Sequence, residues 1–291
     1  MSTTATLTLA QTRRHIGRRA IWSRVVIASC YGAALLVILP LALIVWHLIA
    51  KGLPALSLSF FVDMPKPVGE AGGGMANAIV GTLILVGLGA LFAMPVGIGA
   101  GVYLAEFGRG RFASTVRYTV DLLAGVPSIV VGVAAYGLVV IPMGGFSALA
   151  GGVALGILML PTIIRSTEEV IRLVPQSYRE AALALGAPRW KVTQQIVIPA
   201  ARAGIVTASM LAVARAAGET APLLFTALGN RFWSTSLLKP IASLPVFVFD
   251  YARAPYDDWN RQAWTGALVL VMIVTVISAI LRLTVRRVIP R

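Results

Sequence analysis

Residues 165–199 read RSTEEVIRLVPQSYREAALALGAPRWKVTQQIVIP, a long charged segment in a chain that is otherwise almost entirely apolar. Apolar runs flank it on both sides, which makes it a connector between two membrane-length segments. Ser166-x-x-Glu169 is expected to cap a first turn and Pro175 to break the chain. Ser177-x-x-Glu180 reads as a capping box opening a helix through Ala181-Ala182-Leu183-Ala184-Leu185. Gly186 then ends that helix as a C-cap glycine would. A third helical piece, Arg189 to Ile198, leads to Pro199 and the next apolar run. The segment thus predicts a short helix lying across one face of a membrane protein. Two readings of it are open: a connector resting on lipid, or a docking element for a partner.

Composition sets the class. The chain has 291 residues, of which 58% are hydrophobic and 12% charged, and its mean hydropathy is +0.85. A soluble domain carries about a quarter charged residues. Apolar runs long enough to cross a bilayer recur, so the fold class is an all-α polytopic membrane protein. The net charge of +14 does not point to nucleic acid, because the basic residues bracket the apolar runs and form no continuous face. Cys30 is the only cysteine, so a disulfide within the chain is excluded, and it reads as a small buried apolar residue. His15 and His47 are too few and too far apart for a metal site. No lysine lies in a phosphate-binding G-x-x-x-x-G-K-[ST] loop, so the chain carries no ATPase motif of its own.

Six spans are expected, at about 25–47, 76–102, 118–141, 148–164, 203–228 and 263–281. The basic stretch 1–24 before the first is read as a cytoplasmic N-terminal segment, and the run after it is too long for a cleaved signal peptide. Residues 25–291 then form the membrane domain, with a core at 70–284. With both termini inside, the inside segments hold eighteen Lys and Arg, and the outside segments hold six. This three-to-one asymmetry supports the orientation, and five of the six tryptophans fall at span ends. In the second span Gly97 and Gly101, four apart, suit a close helix approach. Pro127 is expected to kink the third span. Asp121, four residues after Arg117, reads as half of an interfacial ion pair. Asp63, Glu70, Asp250, Asp257 and Asp258 lie in the external loops, as solvated charge or as docking surface.

The fifth span holds Arg215-Ala-Ala-Gly-Glu219-Thr220-Ala-Pro222 and is expected to be interrupted near Gly218 and Pro222. A mid-membrane arginine costs roughly 2.5–3.5 kcal/mol to insert, so it needs a partner or a watery cavity. Glu219, one helical turn on, could neutralise it as an internal ion pair. Alternatively the guanidinium fork binds two oxygens of an anion, in a helix loosened to let a cavity form.

The pattern Glu180-Ala181-Ala182, three residues, Gly186, nine residues, Ile196-x-Ile198-Pro199 resembles the EAA signature of ABC importer permeases. That family commonly has Leu where this chain has Ile198. Arg215-Ala-Ala-Gly-Glu219-Thr220-Ala-Pro222-Leu223, Gly72-Gly73-Gly74-x-x-Asn77-Ala78-Ile79-x-Gly81-Thr82, Pro127-Ser128-Ile129-Val130-Val131-Gly132 and Leu160-Pro161-Thr162-Ile163-Ile164-Arg165 are similar to the PstA-type permeases of phosphate importers. The likeness is dense over roughly 70–228 and weaker at both ends.

The resemblance implies the type I permease fold in a bacterial inner membrane, with residues 165–199 as a cytoplasmic coupling loop. It places Glu180, Ala181, Ala182 and Gly186 against a partner ATPase dimer that holds ATP and Mg, while this chain binds no cofactor and catalyses nothing. It also implies a second, PstC-type permease and a periplasmic phosphate-binding protein. Arg215, Glu219 and Thr220 become candidates for the substrate path, with phosphate as the cargo. Molybdate or sulfate in the same architecture, or an ATP-independent anion channel or carrier, are the competing readings. A membrane-embedded enzyme has no nucleophile–base or metal cluster to support it.

Overall fold

The computed structural model describes residues 3–70 and 72–287, with side chains for residues 22–70 and 72–280. The arginines counted at Arg13, Arg14, Arg18, Arg19, Arg282, Arg286, Arg287 and Arg291 therefore lie outside the described side chains. Residues 1–51 and 52–291 form two units. The first is one helix, α1 (Thr3–Gly52), which joins the basic segment to the first apolar run without a break.

In the second unit, a 3-10 turn at Leu53–Ala55 leads to α2 (Leu58–Val62), α3 (Ala76–Glu106) and α4 (Gly110–Gly125). Next come α5 (Ser128–Met143), α6 (Ala148–Arg172), α7 (Gln176–Ala184) and α8 (Arg189–Ala217). The chain closes with α9 (Ala221–Thr226), α10 (Leu244–Ala252) and α11 (Asp257–Arg287). Among the described residues, five helices are long and apolar enough to cross a membrane, and α4 and α5 together form a sixth candidate bent by 105°. The third span is thus not a kinked rod. Pro127 is extended at φ −58° and ψ 137°, and it separates two helices that run nearly at right angles.

The centre is the pairing of α3 with α6, and glycine makes it possible. A Cβ at Gly97 would stand 2.7 Å from the Ile163 side chain, and one at Gly101 would stand 2.8 Å from the Ile164 carbonyl. Gly152 and Gly156 of α6 receive Leu88 and Phe92 of α3 in the same way. The close approach expected from Gly97 and Gly101 is what the structure has. Around it Leu85, Leu155, Met159, Ile163, Ala212 and Leu223 form one buried core. A second core joins Phe60, Met75, Phe247, Tyr251 and Val269, so the apolar stretch within the 229–262 loop is a packed helix, α10.

Two boundaries differ from expectation. α6 continues to Arg172, which puts Ser166 and Glu169 inside a helix rather than at a cap. α8 begins at Arg189 and merges the third piece of the connector with the fifth span. It does so through a π-helical turn at Thr193–Val197, and α5 has another at Tyr136–Val140. Each is followed by Ile-Pro, at Pro199 and Pro142. A proline lacks the N–H and crowds the carbonyl four residues back. Those carbonyls, of Gln195 and Leu138, lie inside the widened turns, so the helix absorbs the proline instead of ending at it.

Candidate functional site

The break in α8 falls where expected. The helix ends at Ala217 with Gly218 as its C-cap. The N–H groups of Gly218 and Glu219 donate to the carbonyls of Arg215 and Ala216 at 3.2 and 3.1 Å, a tight terminal turn. Thr220 is the N-cap of α9, yet its side chain makes no capping bond, and Pro222 sits in the first turn. Gly132 of α5 fixes this short helix: a Cβ there would be 2.7 Å from the Pro222 Cα. Two of the quoted motifs, around Gly132 and around Pro222, therefore meet.

Arg215 is exposed on the bundle, and Glu219 and Thr220 are half-buried. The one-turn ion pair expected between Arg215 and Glu219 is not formed. The one-turn relation holds only along a continuous helix, and this helix stops between them. Among the described residues neither side chain has a hydrogen-bond or ion-pair partner. A cation, an acceptor and a hydroxyl are left clustered along six residues at an interruption.

At the opposite treatment stands α7. It starts after Pro175 rather than at a Ser177–Glu180 capping box, and no side chain caps it. Pro175 has φ −56° and ψ 138°, which already turns the chain. Gly186 ends the helix at φ +81°. Gly186 N–H donates to Leu183 O at 2.9 Å and Ala187 N–H to Ala182 O at 3.2 Å, a paired closure that needs glycine's left-handed freedom. Ala182 is buried with Ile171, Val174, Val192 and Val197, whereas Glu180 and Ala181 are exposed. Tyr178 on α7, Leu185 in its turn and Trp190 at the start of α8 are exposed as well.

What holds α7 is a residue that sequence reading passed over. Arg179 donates to Glu106 at the end of α3 at 2.6 Å. It also donates to the Ile171 and Val174 carbonyls at the end of α6, at 3.0 and 2.6 Å. A cation at the C-terminal carbonyls of a helix is favoured by the helix dipole. Beside it, Glu168 is 3% exposed and accepts from both Arg117 and Arg172. Arg117 reaches on to the Leu104 carbonyl at 2.7 Å. Asp121 therefore pairs not with Arg117 but with Arg165, at 3.8 Å.

The Gly72–Thr82 motif is a tie between loops. Asn77 donates to the Asn230 and Arg231 carbonyls at 3.0 and 3.1 Å, and Thr82 Oγ1 accepts from Leu244 N–H at 2.8 Å. Gly81 lies so close to the Ala242 carbonyl that a Cβ would be 2.0 Å from it. Nearby, Trp259 stacks on Tyr251 at 4.3 Å under the Arg231 guanidinium. Burial pushes the Asp250 carboxyl above its ordinary value against the opposing pull of Arg253 and Arg231.

A bundle of interrupted apolar helices, with unpaired polar groups at the interruption and an anchored helix at one end, defines a membrane permease. The chain belongs to the family described as the binding-protein-dependent transport system inner membrane component, which it matches over residues 97–291. It is 46% identical over 240 residues to the phosphate transport system permease protein PstA of Yersinia pestis, covering 82% of this chain and 81% of that one. The PstA protein of Haemophilus influenzae is 45% identical over 82% of this chain and 85% of its own length. In fold it is similar to a chain of the MetNI methionine ABC transporter, with a TM-score of 0.63 and 21% identity. That match covers 74% of this chain and 98% of the other. The fold is the type I ABC importer permease fold, and the chain is a permease subunit that works with separate ATPase and substrate-binding proteins.

Proposed function

We propose that this subunit passes inorganic phosphate from periplasm to cytoplasm across a bacterial inner membrane. Both termini and residues 165–199 face the cytoplasm in this reading, as the Lys and Arg asymmetry supports. The observation that carries the cargo assignment is the unpartnered Arg215–Glu219–Thr220 cluster at the break in α8. The names of the relatives point to phosphate. A guanidinium fork meets two phosphate oxygens, and the Thr220 hydroxyl can donate to a third. Near neutral pH phosphate keeps a proton that Glu219 can accept, whereas sulfate has none and would face a bare carboxylate.

An ATPase dimer carrying ATP and Mg docks on the exposed face of α7 around Glu180 and Ala181. Ala182 and Gly186 serve by packing and turning the helix rather than by touching the partner. When the ATPases close, α7 moves, and Arg179 passes the motion to the ends of α3 and α6 together. A second, PstC-type permease completes the pathway opposite Arg215, and a periplasmic phosphate-binding protein meets the outer loops.

The test is reconstitution of the assembled transporter in liposomes. Phosphate with its binding protein is expected to stimulate ATP hydrolysis, and Arg215→Lys, which keeps charge but loses the fork, is expected to impair uptake. Stimulation by another oxyanion and not by phosphate would reassign the cargo.

A further inference from the structure

The foot of the bundle holds a half-open cavity of about 460 Å³, and none of Arg215, Glu219 or Thr220 lines it. It lies between the end of α3, the loop into α4, the end of α6, α7 and the start of α8. Arg109, Arg172, Arg179 and Arg189 line it, and Glu106 is the one carboxylate in its wall. Glu106 is taken by Arg179. Arg172 shares Glu168 with Arg117. The guanidinium groups of Arg109 and Arg189 have no hydrogen-bond or ion-pair partner among the described residues. Five arginines thus stand against two carboxylates, leaving an excess of positive charge concentrated around a hollow. Its volume is many times the roughly 30 Å³ share of one water, enough for a phosphate group and its ester substituent.

We infer that this cavity binds a phosphate-bearing anion, with Arg109 and Arg189 as its principal ligands. Two planar donor forks lining one cavity suit the several oxygens of a phosphate group, and a carboxylate offers fewer. Thr193 lines the same cavity, and its hydroxyl donates to the Arg189 carbonyl at 3.1 Å. The consequence is mechanical. An anion held by Arg109 and Arg189 joins the entry of α4 to the entry of α8 across the Arg179 clamp. It thereby favours the pose of α7 in which the cavity is closed, and a ligand that prefers one pose shifts the population toward it. This consequence rests on the transport reading of α7; the binding does not. The same chemistry is offered by inorganic phosphate in solution and by a phospholipid headgroup.

The experiment compares the assembled transporter carrying R109Q and R189Q with the unchanged assembly, both in an R215A background that silences the translocation site. One arm measures equilibrium binding of radiolabelled inorganic phosphate to the delipidated complex in detergent. The other counts phosphatidylglycerol retained from mixed vesicles, by native mass spectrometry. Losing two charge-assisted contacts is expected to weaken one of these ligands by about tenfold or more. Loss confined to inorganic phosphate assigns the site to the free anion, and loss confined to phosphatidylglycerol assigns it to lipid. If both bind equally well with and without the two arginines, the inference is overturned. That failure leaves the transport reading intact, because stimulated ATP hydrolysis in the Arg215 chain does not depend on it. The single R109Q and R189Q chains, each expected to lose part of the binding, serve if the double substitution prevents assembly.

Discussion

The foot of the bundle and the break in α8 both carry arginines and glutamates, and the structure treats them in opposite ways. At the foot, Arg179 and Glu106 are 14% and 12% exposed and paired, and Glu168, at 4%, serves two arginines. At the break, Arg215 and Glu219 stand apart with no partner. Burying a matched pair joins elements, because either charge alone would be costly there. An unmatched pair at a helix interruption adds nothing to the bundle and leaves its donors and acceptor to a passing anion. On the proposed function, the difference separates the parts that carry motion from the part that carries cargo.

That separation can be broken or sharpened by substitution. Arg179→Ala strands Glu106 and removes the link between α3, α6 and α7. It is expected to cost roughly 3–5 kcal/mol, read as a lower thermal midpoint of the purified complex and a loss of ATPase–transport coupling. Glu168→Gln keeps the shape but leaves Arg117 half-buried without a counter-ion. A loss of roughly 1.5–3 kcal/mol is expected in the same assay. Glu219→Gln is expected to leave the midpoint alone and to reduce phosphate-over-sulfate selectivity about tenfold, near 1.4 kcal/mol, in a competition uptake assay. Unchanged selectivity would remove Glu219 from the site. Arg165→Ala touches only exposed carboxylates, Glu169 and Asp121, and should cost no more than about 1 kcal/mol.

Hydropathy and the glycine and proline positions made the spans, the Gly97–Gly101 contact and the interruption at Gly218 legible in the sequence. These signals are local, or average over many residues. The misses came where a local rule assumed a continuous helix or an absent competitor. Ser166–Glu169 and Ser177–Glu180 fit a capping pattern, but the first lies inside α6 and the second starts two residues after the Pro175 N-cap of α7. Arg117 and Asp121 are one turn apart, yet Glu168, fifty-one residues away in sequence, offers a buried carboxylate and wins. Arg215 and Glu219 fail as a pair because the predicted break lies between them, so the two expectations for that stretch were incompatible. Arg179 was the least visible. Its only sequence signal is an arginine one turn past Pro175, where carbonyls of the preceding helix end need a donor. The kink expected at Pro127 likewise hid a 105° turn, since a proline marks where a helix is interrupted but not by what angle.

The most direct test of the account is ATP-driven phosphate uptake into proteoliposomes by the complete transporter carrying Arg215→Ala, with its thermal midpoint measured on the same preparation. The account predicts uptake lower by about a hundredfold, near 2.7 kcal/mol of lost stabilisation, while the midpoint and the assembly with the ATPase stay unchanged. Uptake close to normal, or a midpoint that falls as far as it does for Arg179→Ala, would show that Arg215 is another structural charge and that the anion passes elsewhere.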